Sequence, residues 1–259
     1  VIEVLKSDNL TQGPHVEKFE RDFAEYIGCK YAAAVSNGTA ALHLSAMALN
    51  VKPGDKVIVT PLTFAASANC VRELLESSPK GTYKGIIPVD FSGRAVNLED
   101  FRVLADEYNL WILEDACHAP GGYFIDSKGE KQNCGNGVFA DMAIFSFHPV
   151  KHIACGEGGM VTTNNEALYK QLLRLRSHGI TKGDDNYTNS IEFASGGYTN
   201  ENSYPGWYME MQQLGYNYRL TDIQSALGSS QLKRADSGLQ RRKEIAEIYF
   251  NALRGKDYI

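Results

Sequence analysis

The sequence predicts an α/β fold in which a mostly parallel, doubly wound sheet is flanked by helices. The first observation is an alternation: between residues 31 and 114, short apolar runs and stretches of helical period follow one another in the order βαβαβ, the pattern of right-handed crossovers. The second lies where apolar runs end: Ser36-Asn-Gly, Glu114-Asp115 and Ser146 with the residues after it put polar side chains at strand termini, the edge where open parallel sheets hold ligands. The third is composition: 259 residues with 43% apolar side chains and 24 glycines suit one large globular core with many turns.

In chain order, residues 1–14 are a polar approach segment, and His15–Ile27 is an amphipathic helix carrying Val16, Phe19, Phe23 and Ile27 that Gly28 stops. Tyr31–Val35 reads as a strand, Ser36-Asn-Gly as a turn, and Thr39 onward as a helix burying Leu42, Met47 and Leu49. Lys56–Thr60 is the next strand, and Pro61 to Asn69 a loop running into a helix. Gly85–Phe91 reads as a strand, Asn97–Tyr108 as a helix with an Asn cap and an acidic first turn, and Leu110–Glu114 as a strand. Met142–Phe147 is a buried strand ended by Pro149, and Met160–Thr163 another. Asn164 is expected to cap a helix running to about His178, and residues 179–206 form a long loop with little periodicity, a length associated with lids and binding loops. A helix opens at Thr221 or Asp222 with Ile223, Ala226, Leu227 and Leu232 inside, and a charged helix begins near Leu239. The expected division is a large domain over 1–222 and the helical start of a smaller one over 223–259.

Lysine and arginine total 26 against 31 aspartates and glutamates, so no strong positive field is present to hold nucleic acid or an anionic membrane. The five cysteines are scattered without Cys-x-x-Cys spacing, which argues against a disulfide framework and a zinc site and predicts free thiols and no metal. With no signal peptide or spanning apolar run visible, the expected compartment is the cytoplasm.

Lys151 carries the functional reading. A lysine is usually a solvated surface charge, but Lys151 follows a buried strand by one short turn and precedes Gly156-Glu157-Gly-Gly159. Held beside packed backbone it loses hydration, and its amine becomes a nucleophile toward an aldehyde. Asp115, at the end of an apolar strand, adds a carboxylate where a ligand would lie. An amine for the aldehyde and a carboxylate to keep a pyridine nitrogen protonated are the pair that pyridoxal 5′-phosphate (PLP) needs. Ser36 to Ala40 opens a helix, where free N–H groups and the helix dipole favour a phosphate and Gly38 lets it approach.

Five ordered motifs, Ser36-Asn-Gly-Thr-Ala-Ala-Leu-His43, Glu114-Asp-Ala-Cys-His118, Ser146-Phe-His-Pro-Val-Lys-His152, Gly156-Glu-Gly-Gly159 and Gly215-Tyr-Asn-Tyr-Arg-Leu-Thr-Asp-Ile-Gln224, resemble those of the nucleotide-sugar aminotransferases of the DegT/DnrJ/EryC1/StrS type. The resemblance implies a fold-type I PLP-dependent transaminase in which Lys151 binds the cofactor covalently and then moves the proton, with Asp115 on the pyridine nitrogen. It places Phe64 on the pyridine ring, His118 near the phenolic oxygen as a hydrogen-bonding group, and Ser146, Thr39 and Ala40 on the phosphate. Asn217 matches an asparagine that reaches the cofactor of the neighbouring subunit, which implies a homodimer with shared sites. Arg219 and Glu157 are candidates for substrate contact. Ser146–Ile153, Leu175–Ile180 and Trp207–Arg219 are most similar to the branch that aminates a UDP-linked 4-keto-6-deoxy-N-acetyl sugar on the route to pseudaminic acid, implying C4 amination with glutamate as donor.

Three other functions compete. A PLP-dependent sugar dehydratase of the same family has histidine at the lysine position, whereas Ser146-x-x-x-x-Lys151 keeps the transaminase spacing. A PLP-bound regulatory protein without turnover would not need the Lys151 and Asp115 pair. A dinucleotide-binding domain would need Gly-x-Gly-x-x-Gly after a strand, which is absent. Two departures accompany the resemblance: relatives carry a further strand and connection between Val71 and Arg72, and continue beyond the position of Ile259 into a small domain. The chain therefore reads as part of a longer protein.

Overall fold

The computed structural model describes residues 1–60, 63, 83–182, 187–197 and 202–256. Among the described residues the main sheet has six strands: β1 (Tyr31–Val35), β2 (Lys56–Val59), β3 (Tyr83–Ile87), β4 (Trp111–Asp115), β7 (Met142–Ser146) and β8 (Gly159–Thr163), in the spatial order β1-β8-β7-β4-β3-β2. Strands β2, β3, β4 and β7 are parallel neighbours, and β8 alone runs antiparallel, between β1 and β7. The mostly parallel α/β sheet is thus as expected. A small antiparallel pair, β5 (Tyr123–Ile125) with β6 (Lys131–Asn133), precedes β7.

The period of two along β7 and β4 builds the two faces. Ala143, Phe145 and Phe147 point toward helix α2 (Pro14–Ile27), where Phe19 and Phe23 meet them with ring centroids 4.9–5.3 Å apart. These four rings are fully buried, and each contributes about 1.5–3 kcal/mol of hydrophobic stabilisation. Met142 and Ile144, with Leu113 of β4, face helix α3 (Gly38–Ala48) instead. The same alternation carries Asp115 and Ser146, the last residues of adjacent strands, to the α3 face. Almost every residue of α3 is buried, the exception in its first turn being the exposed Thr39.

Helix α4 (Leu98–Tyr108) begins at Asn97, whose side chain accepts from Glu99 N–H, as expected. Several boundaries differ from expectation. The strand read as Gly85–Phe91 runs from Tyr83 to Ile87, because Pro88 cannot donate to the ladder, and Phe91–Gly93 is a 3₁₀ turn. Asn165, not Asn164, caps helix α5 (Glu166–Leu175), which stops three residues before His178. The Asn164 side chain instead donates to the carbonyls of Asn136 and Gly137 and accepts from Lys30 N–H. Within 179–206, β9 (Ile180–Thr181) pairs with β10 (Glu210–Met211), and a short helix α6 spans Ile191–Ala194. Glu210 organises this loop: its buried carboxylate accepts from Thr188 N–H and Oγ–H, Asn189 N–H and the Tyr208 hydroxyl.

Helix α7 (Asp222–Leu232) starts as expected, with Thr221 and Gln224 forming a capping box. Its buried face is Asp222, Ser225, Gly228 and Ser229, whereas Ile223, Ala226, Leu227 and Leu232 are only partly buried. The reason is close approach to α2: a Cβ at Gly228 would stand 2.7 Å from the Phe19 ring. Helix α8 (Ala235–Leu253) begins four residues before Leu239. Two tertiary polar contacts fix these elements. The Arg176 guanidinium pairs with Glu20 and donates to Ala34 C=O, while Glu20 accepts from Ala34 N–H, tying α2, β1 and the end of α5. Asp222, fully buried, accepts from Gly13 N–H at 2.8 Å, Val16 N–H at 3.2 Å and His15 N–H at 3.3 Å, so one carboxylate serves the N-termini of both α2 and α7.

Asp222→Ala leaves Gly13 N–H and His15 N–H without this acceptor and Val16 N–H with only the Gly13 carbonyl at 3.3 Å, and is expected to cost about 2–4 kcal/mol in chemical denaturation. Asp222→Asn, which keeps an acceptor, should lose less. A loss below about 0.5 kcal/mol for the alanine variant would contradict this role.

Candidate active site

The site forms where the N-terminus of α3 meets the carboxyl ends of β4 and β7. Asn37 is the N-cap: its Oδ1 accepts from Ala40 N–H at 2.8 Å and its carbonyl from Ala41 N–H at 3.1 Å, leaving the N–H groups of Gly38 and Thr39 at the open end of the helix. Two tight contacts set that turn. A Cβ at Gly159, the first residue of β8, would lie 2.5 Å from the Asn37 carbonyl oxygen, and one at Gly38 would lie 3.0 Å from Ser146 Cβ. Ser36 N–H donates to Tyr218 C=O at 2.8 Å, which brings the segment after Gly215 alongside.

A cavity of about 910 Å³ opens there, near the upper end of small-molecule sites, at roughly 300–1,000 Å³. Its walls include Gly38, Thr39, Ala40, Asp115, His118, Ser146, Lys151 and Glu157, eight positions singled out in the sequence. Asn217 and Arg219 are not among its lining residues; they sit in antiparallel bridges with Ser177 and Val35, and Tyr218 between them faces the cavity. Period-two alternation in an extended segment explains why Tyr218 faces away from Asn217 and Arg219, without saying which side turns inward. Phe64 lies outside the described residues. Asn37, Phe91, Cys117 and His148 also line the cavity without having been marked as site residues, although Asn37, Cys117 and His148 lie inside quoted motifs.

Asp115 is buried, accepts from Cys117 N–H at 3.2 Å, and is held by backbone bonds on both sides, Asp115 N–H to Pro88 C=O and Asp90 N–H to Asp115 C=O. Lys151 sits in a turn closed by its own N–H to His148 C=O at 2.8 Å. Burial, and next the Lys151 charge, hold the His118 imidazolium below the usual histidine range, so the ring is neutral at pH 7. Ser92 N–H donates to His118 Nδ1 at 3.2 Å, which leaves the ring proton on Nε2 as a donor. Burial, reinforced by Asp115, pushes the Cys117 thiol well above its ordinary value, so it stays protonated and does not compete as a nucleophile. Tyr218 is positioned by stacking on Tyr216, with centroids 5.1 Å apart, and by its hydroxyl 3.2 Å from His43 Nδ1.

The sequence profile of the DegT/DnrJ/EryC1/StrS aminotransferase family matches residues 1–79 and 76–259. The chain belongs to that family. It is 36% identical over 286 residues to the UDP-4-amino-4,6-dideoxy-N-acetyl-beta-L-altrosamine transaminase of Campylobacter jejuni, covering 98% of this chain and 68% of that protein. Among solved structures, Helicobacter pylori PseC, an aminotransferase of pseudaminic acid biosynthesis, superposes with a TM-score of 0.79 at 31% identity, over 99% of this chain and 67% of that one. Streptococcus pneumoniae Spr1654 in its PLP form gives 0.77 at 26% identity, over 98% and 68%. The chain spans about two thirds of the length of the curated relatives it matches.

PLP is the cofactor of this family, and the donor set fits it. The open N–H groups of Gly38 and Thr39 with Ser146 suit a phosphate, the buried Asp115 suits a protonated pyridine, and Lys151 is an amine on the same wall.

Gly159→Ala must push the Asn37–Gly38 peptide out of place, whereas Gly38→Ala asks Ser146 to yield by only a few tenths of an ångström. The expected result in equilibrium titration is at least tenfold weaker PLP binding for Gly159→Ala, about 1.4 kcal/mol, and a smaller loss for Gly38→Ala. The reverse order would refute the close-approach argument.

Proposed function

We propose that the protein transfers an amino group from glutamate to C4 of a nucleotide-linked 4-keto-6-deoxy sugar, UDP-linked and N-acetylated. The observation that carries this reading is the convergence of Lys151, Asp115 and the open end of α3 on one cavity. Likeness to the C. jejuni transaminase and to PseC supports the substrate class.

When bound, PLP supplies an aldehyde for the amine and an electron-accepting ring. Lys151 Nζ is the covalent anchor and then the base that takes a proton from the donor's α-carbon, favoured because it is tethered beside the reacting atoms. Asp115 holds the pyridine proton, and backbone bonds on both of its sides limit its movement. His118 donates from Nε2 to the phenolic oxygen, a role that suits a ring neutral at pH 7. Gly38, Thr39 and Ser146 bind the phosphate; Ala40 contributes through the cap, since its N–H is bonded to Asn37.

The protein acts as a homodimer in which Asn217 serves the partner's site. Its exposure, on the opposite side of the segment from Tyr218, supports this reading. Arg219 is assigned to the donor carboxylate, Glu157 to the sugar substrate and Phe64 to the pyridine ring. The chain comprises a large domain over 1–222 and the helical start of a smaller domain over 223–259; beyond Ala235 the last helix exposes Ile248, Tyr249 and Phe250. We assign it to the cytoplasm: no helix among the described residues is long and apolar enough to cross a membrane, and Cys29, Cys117, Cys134 and Cys155 are free thiols.

The test is a panel of nucleotide-linked 4-ketosugars with glutamate, the aminated product being identified by mass spectrometry and NMR. Amination at C4 of a UDP-linked N-acetyl substrate is expected, and amination of none of the panel would overturn the reading. Lys151→Ala should lower turnover by at least about a thousandfold, or about 4 kcal/mol. Mixing it with an inactive Asn217 variant should restore activity, because each mixed dimer has one intact site; no recovery, with mixed dimers shown by native mass spectrometry, would put Asn217 elsewhere.

A further inference from the structure

Behind Asp115, on the other face of the sheet, lies a polar cluster that the reaction does not use. Asp90, Glu114 and Cys134 are each about 1% exposed, and one ligand-type atom from each lies within 4.8 Å of the others. Half of the carboxyl oxygens are accounted for: Asp90 Oδ1 accepts from Val96 N–H at 2.9 Å and Glu114 Oε2 from Gly135 N–H at 2.9 Å. Asp90 Oδ2 and Glu114 Oε1 are fully buried, and no N–H reaches either. Two ionised carboxylates in that position would face each other without solvent and with the Cys134 thiol as a weak neutral donor to Asp90, an arrangement costing more than the retention of one proton.

We propose that Asp90 and Glu114 share a single proton, Glu114 donating to Asp90, and that this hydrogen-bonded pair is a positioning unit for Asp115. The connection is direct. Glu114 precedes Asp115 in β4 and points to the opposite face, while Asp90 N–H donates to Asp115 C=O at 3.1 Å and Val89 bridges to Asp115. Closing the pair therefore fixes the end of β4 from behind and leaves one negative charge there instead of two. Burial, followed by the charge of Asp90, drives the Glu114 carboxyl well above its ordinary value, with Asp115 acting in the same direction. Burial also raises Asp90, opposed by its hydrogen bonds from Glu114, Val96 N–H and the Cys134 thiol. The charged groups that act most strongly on Glu114, Asp90 and Asp115, are both anions and oppose its ionisation.

The sign of the pH dependence follows. A carboxyl whose folded pKa is raised contributes stability that is full below the ordinary carboxyl range and is lost as pH rises toward the folded value. Glu114→Gln copies the protonated acid, its amide donating to Asp90 and its oxygen accepting from Gly135 N–H, and cannot ionise. Denaturation of cofactor-free, full-length protein between pH 5 and 8 should show the unfolding constant of the wild type, relative to Glu114→Gln, growing by up to about tenfold per pH unit. A ratio that stays flat would overturn the shared proton. So would a stoichiometric metal ion found in the purified protein by plasma mass spectrometry, since a cation would then replace the proton.

The positioning role rests on the assignment of Asp115 to the cofactor, and PLP titration of the same variants tests it. Glu114→Gln should bind PLP within about twofold of the wild type and Glu114→Ala at least about tenfold more weakly; equal binding by both would overturn positioning. Asp115→Asn should keep the direction of the wild type's pH dependence with a smaller span, since the Asp115 charge helps to raise Glu114. If wild type failed to bind PLP at all, the functional reading would fall while the denaturation ratio still decided the shared proton.

Discussion

The site depends on a close approach between two pieces of backbone. The Asn37–Gly38 peptide lies against the first residue of β8 with no room for a side chain, and its position decides where the N-terminus of α3 points. The body of α3 is buried nearly all round, while its first turn, with Thr39 exposed, opens on the cavity, so the free N–H groups and the partial positive charge there face whatever the cavity holds. Gly159 lies in the glycine run that follows Lys151, so the run joins two functions: it completes the turn carrying the lysine and lets β8 lie under the anion-binding end of the helix.

Around this contact the sheet behaves as a sorting device. Phe145 and Phe147 commit one face of β7 to α2, and the alternation then obliges Ser146 to face α3, beside Asp115 of the neighbouring strand. Asp222 and the Arg176–Glu20 pair perform the corresponding task outside the sheet: each satisfies backbone groups that would otherwise be buried without partners, and together they hold α2, α5 and α7 against the strands. Hydrophobic packing brings the layers together, and these polar contacts fix their angle and register.

The strands and most helices could be read from the sequence because apolar periodicity, Asn and Thr caps and Gly stops all act locally. The placement of Lys151 and Asp115 on one cavity was legible in the same way, since one ends an apolar strand and the other lies one short turn beyond another. What could not be read is set by contacts distant in sequence. The buried face of α7 is small and polar because Phe19, more than 200 residues earlier, fills the space above Gly228. Asn165 displaced Asn164 as a cap because Asn164 is occupied by the turn at residues 136–137. Tyr218 was passed over for its neighbours because only the bridges to Val35 and Ser177 show which side of that segment turns inward. The Asp90–Glu114 contact joins two strand ends, and one-dimensional patterning carries no sign of it.

Everything in the account converges on the Lys151 amine, and its covalent role can be read directly. Borohydride reduction of the PLP-loaded protein, followed by proteolysis and mass spectrometry, should place a phosphopyridoxyl group on Lys151, with loss of label after Lys151→Ala. A label on another lysine, or none on a protein that has bound the cofactor, would contradict the account.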